Sequence, residues 1–180
     1  MDRLTEEQLV RAVIAGDETA YASLYDRFAP LVRALCYDHT GNLADAQDLA
    51  QDVFLRAYQR LGQLRKPDSI GPWIIGITRR RCLEWRRRNV REQRRRRAFQ
   101  TDPGVADGVR EHSANGQLLG LVAALGEDER LAVHAFYLQE KSAEEARRIV
   151  GLSRSGFYKL LDRARAKLRQ QLEQHQENVR

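Results

Sequence analysis

The chain has few of the residues that build cross-linked or metal-binding proteins. It has only two cysteines, and Cys36 and Cys82 lie far apart without forming a paired motif. A disulfide framework or a structural zinc site needs more ligands at closer spacing. The four histidines are scattered, and no carboxylate cluster flanks any of them. We therefore predict no metal, no cofactor and no catalytic site.

Long apolar runs are also missing. No stretch approaches the roughly 20 apolar residues that a membrane span requires. The N-terminal stretch MDRLTEEQLV is acidic and polar and lacks the apolar core of a signal peptide. We therefore expect a protein of the reducing cytoplasm without membrane insertion.

Helical patterns are what the sequence does contain. Apolar residues make up 42% of the chain and charged residues 31%, and apolar positions recur at helical spacing. The pattern predicts an all-α protein with two small helical domains, an N-terminal helical bundle and a C-terminal helix-turn-helix domain, joined by a flexible linker. The predicted segments are a first domain at 1–93, the linker at 94–117, a second domain at 118–172 and a polar, frayed tail at 173–180.

The first domain begins with three predicted helices. Thr5 and Gln8 have the spacing of a capping box at the start of the first. The second starts near Glu18 and contains Pro30, which predicts a kink or a break there. The third covers about 43–61 and has an acidic, exposed side.

That acidic side holds Asp45, Asp48 and Asp52, together with Gln51. It can be an ordinary solvated face whose N-terminal acids are favoured by the helix dipole. This explanation fits Asp45 and Asp48 well and Asp52 less well.

An intensely basic stretch follows a loop at 62–72. Residues 79–97 hold eleven arginines against two glutamates, a local charge of +9, whereas the whole chain carries +6. Surface helices normally mix charges of both signs, which limits repulsion. The concentration of one sign therefore indicates a surface that binds a polyanion.

The second domain contains a pair of helices with a short turn. Ser142 and Ser153 are predicted N-caps, and Gly151-Leu152 forms the turn between the two helices. Residues 141–169 hold nine Lys or Arg against three acids, a local charge of +6. A basic second helix favours a DNA-binding helix-turn-helix, and an ordinary helical hairpin is the alternative.

These segments together resemble a bacterial RNA polymerase sigma factor of the small, two-domain extracytoplasmic-function (ECF) group of the sigma-70 family. The string DAQDLAQDVFLRAYQRL is similar to the polymerase-binding helix of region 2 in that family. PWIIGITRRRCLEWRRR is similar to the promoter-opening helix that follows. The block at 127–169 resembles region 4 and ends in an R-A-R-x-x-L pattern from Arg163 to Leu168.

The resemblance implies three binding surfaces and no cofactor. The implied partners are core RNA polymerase, promoter DNA and, as a further candidate, an anti-sigma factor. Residues implied in polymerase binding are Asp48, Gln51, Asp52 and Arg56. Residues implied at the minus-ten element are Leu64, Ile70, Trp73, Arg79, Arg80, Arg81, Arg87 and Arg88. Residues implied at the minus-thirty-five element are Arg154, Ser155, Tyr158, Lys159, Arg163 and Arg165.

The chain also departs from the family pattern. An aromatic residue usually stands where this chain has Leu64, and often another stands near Ile70, so strand capture is expected to depend more on arginine than on stacking. The recognition helix carries Ser-Arg-Ser-Gly-Phe-Tyr-Lys-Leu-Leu in place of the usual motif. The promoter sequence therefore does not carry over from the family.

Two other functions remain as alternatives. A helix-turn-helix regulator could bind DNA without polymerase, and an enzyme could act on nucleic acid. The acidic side distinguishes the first alternative, because a free regulator has no need of it. Reversing Asp48 and Asp52 to lysine is predicted to abolish polymerase binding and to spare the fold.

Overall fold

The computed structural model describes residues 4–99, 120–138 and 142–178, and the regular structure in these ranges is helical. The chain divides into two compact units, Met1–Val109 and Arg110–Arg180. The all-α prediction with two helical domains is confirmed. Residues 94–99 of the predicted linker continue a helix, and the rest of that linker lies outside the described residues.

The first unit is built from four helices, α1 (Glu6–Ile14), α2 (Glu18–Thr40), α3 (Leu43–Arg60) and α4 (Ile70–Phe99). Two short 3-10 turns, Leu61–Gln63 and Pro67–Ser69, connect α3 to α4. The predicted capping box is present, because the backbone N–H of Thr5 donates to the side chain of Gln8 over 2.8 Å and that of Gln8 to Thr5 over 3.2 Å. Asn42 caps α3 by accepting from the N–H of Asp45 at 3.1 Å.

Of the kink or break predicted at Pro30, the break does not occur, because α2 runs through this position from Glu18 to Thr40. The proline ring lies on the exposed side of the helix, whereas its neighbours Ala29, Leu31 and Val32 are buried. Proline lacks a backbone N–H, so the helix loses one hydrogen bond here. Burial of the apolar neighbours stabilises the helix enough to compensate for this loss.

The core of this unit lies where α2, α3 and α4 meet. Its largest fully buried side chains include Phe28, Leu31 and Val53. Cys36 on α2 and Cys82 on α4 are both buried free thiols. A hydrogen bond to Cys82, together with burial, raises the pKa of the Cys36 thiol. Two cysteines that form no motif in the sequence are thus neighbours in the fold.

Helix α4 extends beyond the core formed by the other helices of the first unit. Its buried residues end at Cys82, and from there to Arg95 every side chain is exposed or half-buried. Leu83, the first residue after Cys82, is exposed. The first turns of α4 therefore belong to the core, and the arginine-rich remainder faces water.

The second unit contains a helical turn at 120–123, α5 (Glu127–Val133), a π-helical turn (His134–Leu138), α6 (Ala143–Val150) and α7 (Arg154–Asn178). Val122, Leu125, Val133 and Ala164 form a buried cluster, and Leu168 packs against it. Phe157 of α7 is fully buried as well. The segment 173–180, predicted as a frayed tail, is helical as far as Asn178, because α7 continues into it.

One buried carboxylate connects α5 to α7. The side chain of Glu129 accepts from the backbone N–H of Gly126 and from the ammonium of Lys167, both at 2.9 Å and at the same oxygen. The hydrogen bond from Lys167 lowers the pKa of Glu129 below its ordinary value of 4.5. Because the folded protein favours the ionised form, this carboxylate stabilises the unit at neutral pH.

We expect Glu129→Gln to lower the free energy of unfolding of the second unit at pH 7 by about 1–2 kcal/mol, as for other hydrogen bonds to buried charges. Amide hydrogen exchange in α5 and α7 measures it. A depressed pKa stabilises above the unfolded value, so the difference between the wild type and the variant should shrink as the pH falls below 4.5. The control Asp162→Asn removes an exposed ion pair to Arg165 and should cost less than about 0.5 kcal/mol. An equal loss in both variants would contradict a special role for Glu129.

Candidate functional site

One side of α3 presents a mixed polar and apolar strip to solvent. Asp48, Gln51, Leu55 and Tyr58 follow one another at spacings of three and four residues, which places them on one face of the helix. Leu55 is 57% exposed and Tyr58 is 48% exposed. We call these four residues the α3 face. Sequence reasoning missed both Leu55 and Tyr58, although their spacing from Asp48 and Gln51 could have revealed them.

Tyr58 is held in place from the neighbouring helix. The ring of Tyr21 on α2 packs edge-on against Tyr58, with the ring centres 4.8 Å apart. The hydroxyl of Tyr21 donates to the backbone oxygen of Phe54 at 2.5 Å, and burial raises the pKa of Tyr21 to about 12. Tyr21 therefore remains protonated as a donor at neutral pH and supports the exposed ring of Tyr58.

Asp52 and Arg56, predicted to bind a protein partner, take part in an internal ion network. Asp52 accepts from the Nε of Arg56 at 3.1 Å and from the Nε of Arg81 on α4. Arg81 also donates to Glu84, and its side chain is only 18% exposed. The network fastens α3 to α4. Of the four residues predicted to bind polymerase, Asp48 and Gln51 therefore lie on the α3 face.

A groove opens where the end of α3 meets the first turns of α4. Its volume is about 400 Å³. The side chains that line it include Arg56, Arg60, Gln63, Trp73, Ile77, Arg80 and Arg81. The groove thus brings together Trp73 and Arg80, which the family resemblance assigns to minus-ten DNA. The half-buried indole ring of Trp73 lies among several guanidinium groups there. Such a groove offers stacking and charge to a single strand of nucleic acid.

The structure corrects two assignments at this site. Ile70 is fully buried, so its side chain supports the core under α4 and does not reach a DNA base. Arg81 lines the groove, but its Nε donates to Asp52 and its Nη1 to Glu84, so two carboxylates of the unit hold its guanidinium at the groove wall. Leu64 remains half-buried in the segment between the two 3-10 turns.

The other predicted arginines follow α4 outward. Arg80, Arg87 and Arg88 are exposed, and Arg79 is half-buried. Arg80 lines the groove and Arg79 precedes it on α4, whereas Arg87 and Arg88 lie beyond Cys82, on the part of the helix that leaves the core. Phosphate contact is compatible with all four positions.

The second unit contains the helix pair that the sequence predicts. Gly151 has a φ of 76°, which favours glycine, and its N–H donates to the carbonyl of Arg147 at 2.9 Å. Ser153 begins α7 by accepting from the N–H of Gly156 at 3.2 Å. The predicted DNA-contact residues Arg154, Ser155, Tyr158, Lys159, Arg163 and Arg165 are all exposed.

Two arginines of this unit are held by neighbours in ways that the sequence did not reveal. The Nε of Arg165 donates to the hydroxyl of Tyr137 at 2.5 Å, and its guanidinium also donates to Asp162 at 3.1 Å. Arg147 on α6 donates to Glu144 at 2.8 Å, and both border a groove of about 260 Å³ next to Arg154 and Tyr158. Arg165 is therefore preoriented on the surface of α7.

The described part of the chain contains no candidate metal-binding site. Among residues 4–99, 120–138 and 142–178, no group of three or more His, Cys, Asp or Glu side chains could hold a metal ion. In the same ranges, no helix has the length and apolar character to cross a membrane.

Comparison with known proteins gives relatives of one kind. A family model described as sigma-70 region 2 matches residues 24–92, which cover most of α2, α3 and much of α4. The chain is 30% identical, over 96% of its length, to a probable RNA polymerase sigma factor RfaY of Xanthomonas campestris. It is 28% identical, over 87% of its length, to the ECF RNA polymerase sigma factor BldN of Streptomyces coelicolor. It spans only 45% of the first of these proteins and 62% of the second.

Solved structures share the fold. CnrH in complex with the cytosolic domain of CnrY superposes with a TM-score of 0.62 at 20% identity, covering 93% of this chain and 97% of that one. The sigma factor RpoE of Bartonella quintana, bound to the anti-sigma factor NepR, gives a TM-score of 0.57 at 20% identity, with 85% and 96% covered.

Proposed function

We propose, from its similarity to ECF sigma factors of the sigma-70 family, that this chain directs core RNA polymerase to specific promoters and assists promoter melting. It would act in the cytoplasm, where polymerase and chromosome meet, and it would have no catalytic activity of its own. The observation that carries this proposal is the arrangement within the first unit. An exposed α3 face and a basic groove lie on adjoining helices, so one small unit can bind a protein and a nucleic acid at once.

The α3 face is the surface that we assign to polymerase. Asp48 and Gln51 would meet polar or basic groups of the partner, and Leu55 and Tyr58 would supply apolar contact area. Interfaces combine a central apolar or aromatic anchor with a polar rim that fixes register. Arg56 and Asp52 would support this surface from behind by fastening α3 to α4.

The groove is the surface that we assign to the minus-ten element. Trp73 would stack on an unpaired base, and Arg80 would hold an adjacent phosphate. Arg79, Arg87 and Arg88 would continue the phosphate contacts along α4, and Leu64 would border the strand. This assignment gives residues 1–93 the role of a region 2 domain.

The second unit is assigned to the minus-thirty-five element. The first turns of α7 would enter the major groove, with Arg154, Ser155, Tyr158 and Lys159 facing the bases. Arg163 and the preoriented Arg165 would contact the backbone. An anti-sigma factor is proposed as a further partner, because the Bartonella RpoE, which shares the fold, is seen in complex with the anti-sigma factor NepR.

Run-off transcription with core RNA polymerase tests this function. We expect the chain to direct core enzyme to discrete start sites in a genomic promoter library, with no transcription from those sites by core enzyme alone. A protein that binds DNA but leaves core enzyme inactive would instead be a regulator that acts without polymerase. Turnover of nucleic acid with magnesium and no polymerase would identify an enzyme.

A further inference from the structure

The π-helical turn that follows α5 places two aromatic rings beside α7. Phe136 packs edge-on against the fully buried Phe157 of α7, with the ring centres 6.2 Å apart. Tyr137 packs edge-on against Phe136 at 4.9 Å, and its own side chain is exposed. The contact between Phe136 and Phe157 therefore anchors an exposed tyrosine on the flank of α7.

The π-helical geometry decides which way Tyr137 faces. In a continuous α-helix, Tyr137 would lie one turn after the buried Val133 and on the same face. The wider π-turn rotates the residues along it relative to that α-helical register, and Tyr137 is 43% exposed. Turns of this kind are rare and occur frequently at functional sites. The exposed position of Tyr137 thus coincides with a backbone irregularity that is typical of such sites.

Tyr137 and Arg165 form a pair of hydrogen-bonding groups at the surface. The Nε of Arg165 donates to the hydroxyl of Tyr137 at 2.5 Å, and its guanidinium carbon lies 5.6 Å from the centre of the tyrosine ring. Because the phenol oxygen accepts this hydrogen bond, the hydroxyl proton can be donated to a further acceptor. The ion pair between Arg165 and Asp162 is exposed, and such pairs contribute little stability. A phosphate can therefore replace Asp162 as the partner of the guanidinium.

The pair lies on the side of α7 that carries a predicted base-contact residue. Arg165 follows Tyr158 by seven residues, which are two helical turns and a rise of about 10.5 Å, so the two share a face. The N-terminal residues of a recognition helix contact base edges. A residue two turns further along the same face is then placed to meet the bordering phosphates. Tyrosine hydroxyls and arginines are both common donors to phosphate oxygens in DNA complexes.

We propose that Tyr137 is a further DNA-contact residue of the second unit, and that its hydroxyl holds one backbone phosphate of duplex DNA together with the guanidinium of Arg165. This inference rests on the proposed function, which brings α7 to duplex DNA, and it adds a residue from outside the helix pair. Tyr137 also positions Arg165, because its hydroxyl and ring hold the guanidinium before DNA binds. Donors that are arranged in advance lose less side-chain freedom on binding.

A double-mutant cycle on the full chain tests this inference, with binding to a labelled mixed-sequence DNA duplex at low salt as the measurement. Tyr137→Phe keeps the ring and removes the hydroxyl, and we expect roughly 3- to 10-fold weaker binding, as for the loss of one hydrogen bond. In an Arg165→Gln background the same change should weaken binding by less than about 2-fold, because two groups that act on one phosphate are not additive. Arg165→Gln itself should reduce the slope of log affinity against log salt by about 0.9.

Tyr37→Phe on α2 is the matched control, since it removes a hydroxyl from a half-buried tyrosine of the first unit and should leave duplex binding unchanged. Tyr137→Phe should melt with the wild type, because the contacts that it removes lie at the surface. A much lower melting temperature would assign Tyr137 to the stability of the fold and overturn the inference. Unchanged binding by Tyr137→Phe, equal losses in both backgrounds, a loss matched by Tyr37→Phe, or no duplex binding by the wild-type chain would overturn it as well.

Run-off transcription with the same proteins separates this outcome from the proposed function. Polymerase-dependent transcription together with equal losses in both backgrounds would reject only the joint phosphate contact of Tyr137 and Arg165. A loss confined to the wild-type background, without polymerase-dependent transcription, would reject only the sigma function.

Discussion

Asp48→Lys is expected to abolish binding to core RNA polymerase and to leave the first unit folded. Asp48 is exposed on the α3 face, so its reversal removes no contact from the core. A charge that faces an oppositely charged partner changes from attraction to repulsion on reversal, and like charges across an interface cost several kcal/mol. We therefore expect at least a roughly 100-fold loss of affinity, since about 1.4 kcal/mol corresponds to a factor of ten.

Asp52→Lys should behave differently, although Asp52 is only one helical turn away. Asp52 accepts from Arg56 and Arg81, and the reversal would place a third cation between them. Breaking a fully buried pair costs 3–5 kcal/mol, and we expect about 1–3 kcal/mol because the Asp52 side chain is 32% exposed. The prediction that reversing both aspartates spares the fold is thereby corrected.

Co-purification with core enzyme and thermal unfolding separate the two effects. Asp26→Lys on α2 is the matched control, since it makes the same charge change at an exposed position on a different helix. This control should keep both the melting temperature and polymerase binding. If Asp48→Lys co-purified with core enzyme as well as the control does, the α3 face would not be the docking surface.

Trp73→Ala should strongly reduce promoter opening, because Trp73 is the aromatic side chain that lines the groove. The indole ring lines the groove beside Arg80, and stacking of one base on an aromatic ring is worth about 1–3 kcal/mol. We therefore expect roughly a 5- to 150-fold weaker capture of a single strand by the holoenzyme. Permanganate reactivity of unpaired thymines in the promoter measures opening, and binding to a labelled non-template strand measures capture.

The same helix provides the control. Trp85 is half-buried and does not line the groove, so Trp85→Ala should leave strand capture unchanged. Trp73→Phe keeps an aromatic face and should retain most of the capture that Trp73→Ala loses. Equal losses in Trp73→Ala and Trp85→Ala would indicate a general effect on α4 and would reject base stacking in the groove.

The sequence by itself determined the elements and the charges. The Thr5–Gln8 capping box, the Asn42 cap and the glycine turn at Gly151 depend on neighbours within a few residues. Local interactions of this range can be read from spacing alone. The basic character of residues 79–97 is equally a property of composition. The helix-turn-helix was predictable because its caps, turn and apolar spacing agree with one another.

Only the tertiary structure decided which face of each helix meets a neighbour. Spacing places Asp48 and Asp52 near each other on α3, but only the packing of α4 turns Asp52 into a partner of Arg81 and leaves Asp48 exposed. The same packing buries Ile70, places the free thiols of Cys36 and Cys82 next to each other and leaves Leu55 exposed. These pairings cross 29 residues or more and depend on how helices with broad apolar faces fit together. Helical periodicity fixes the faces of a helix, and packing between helices distant in sequence fixes which of those faces remain for a partner.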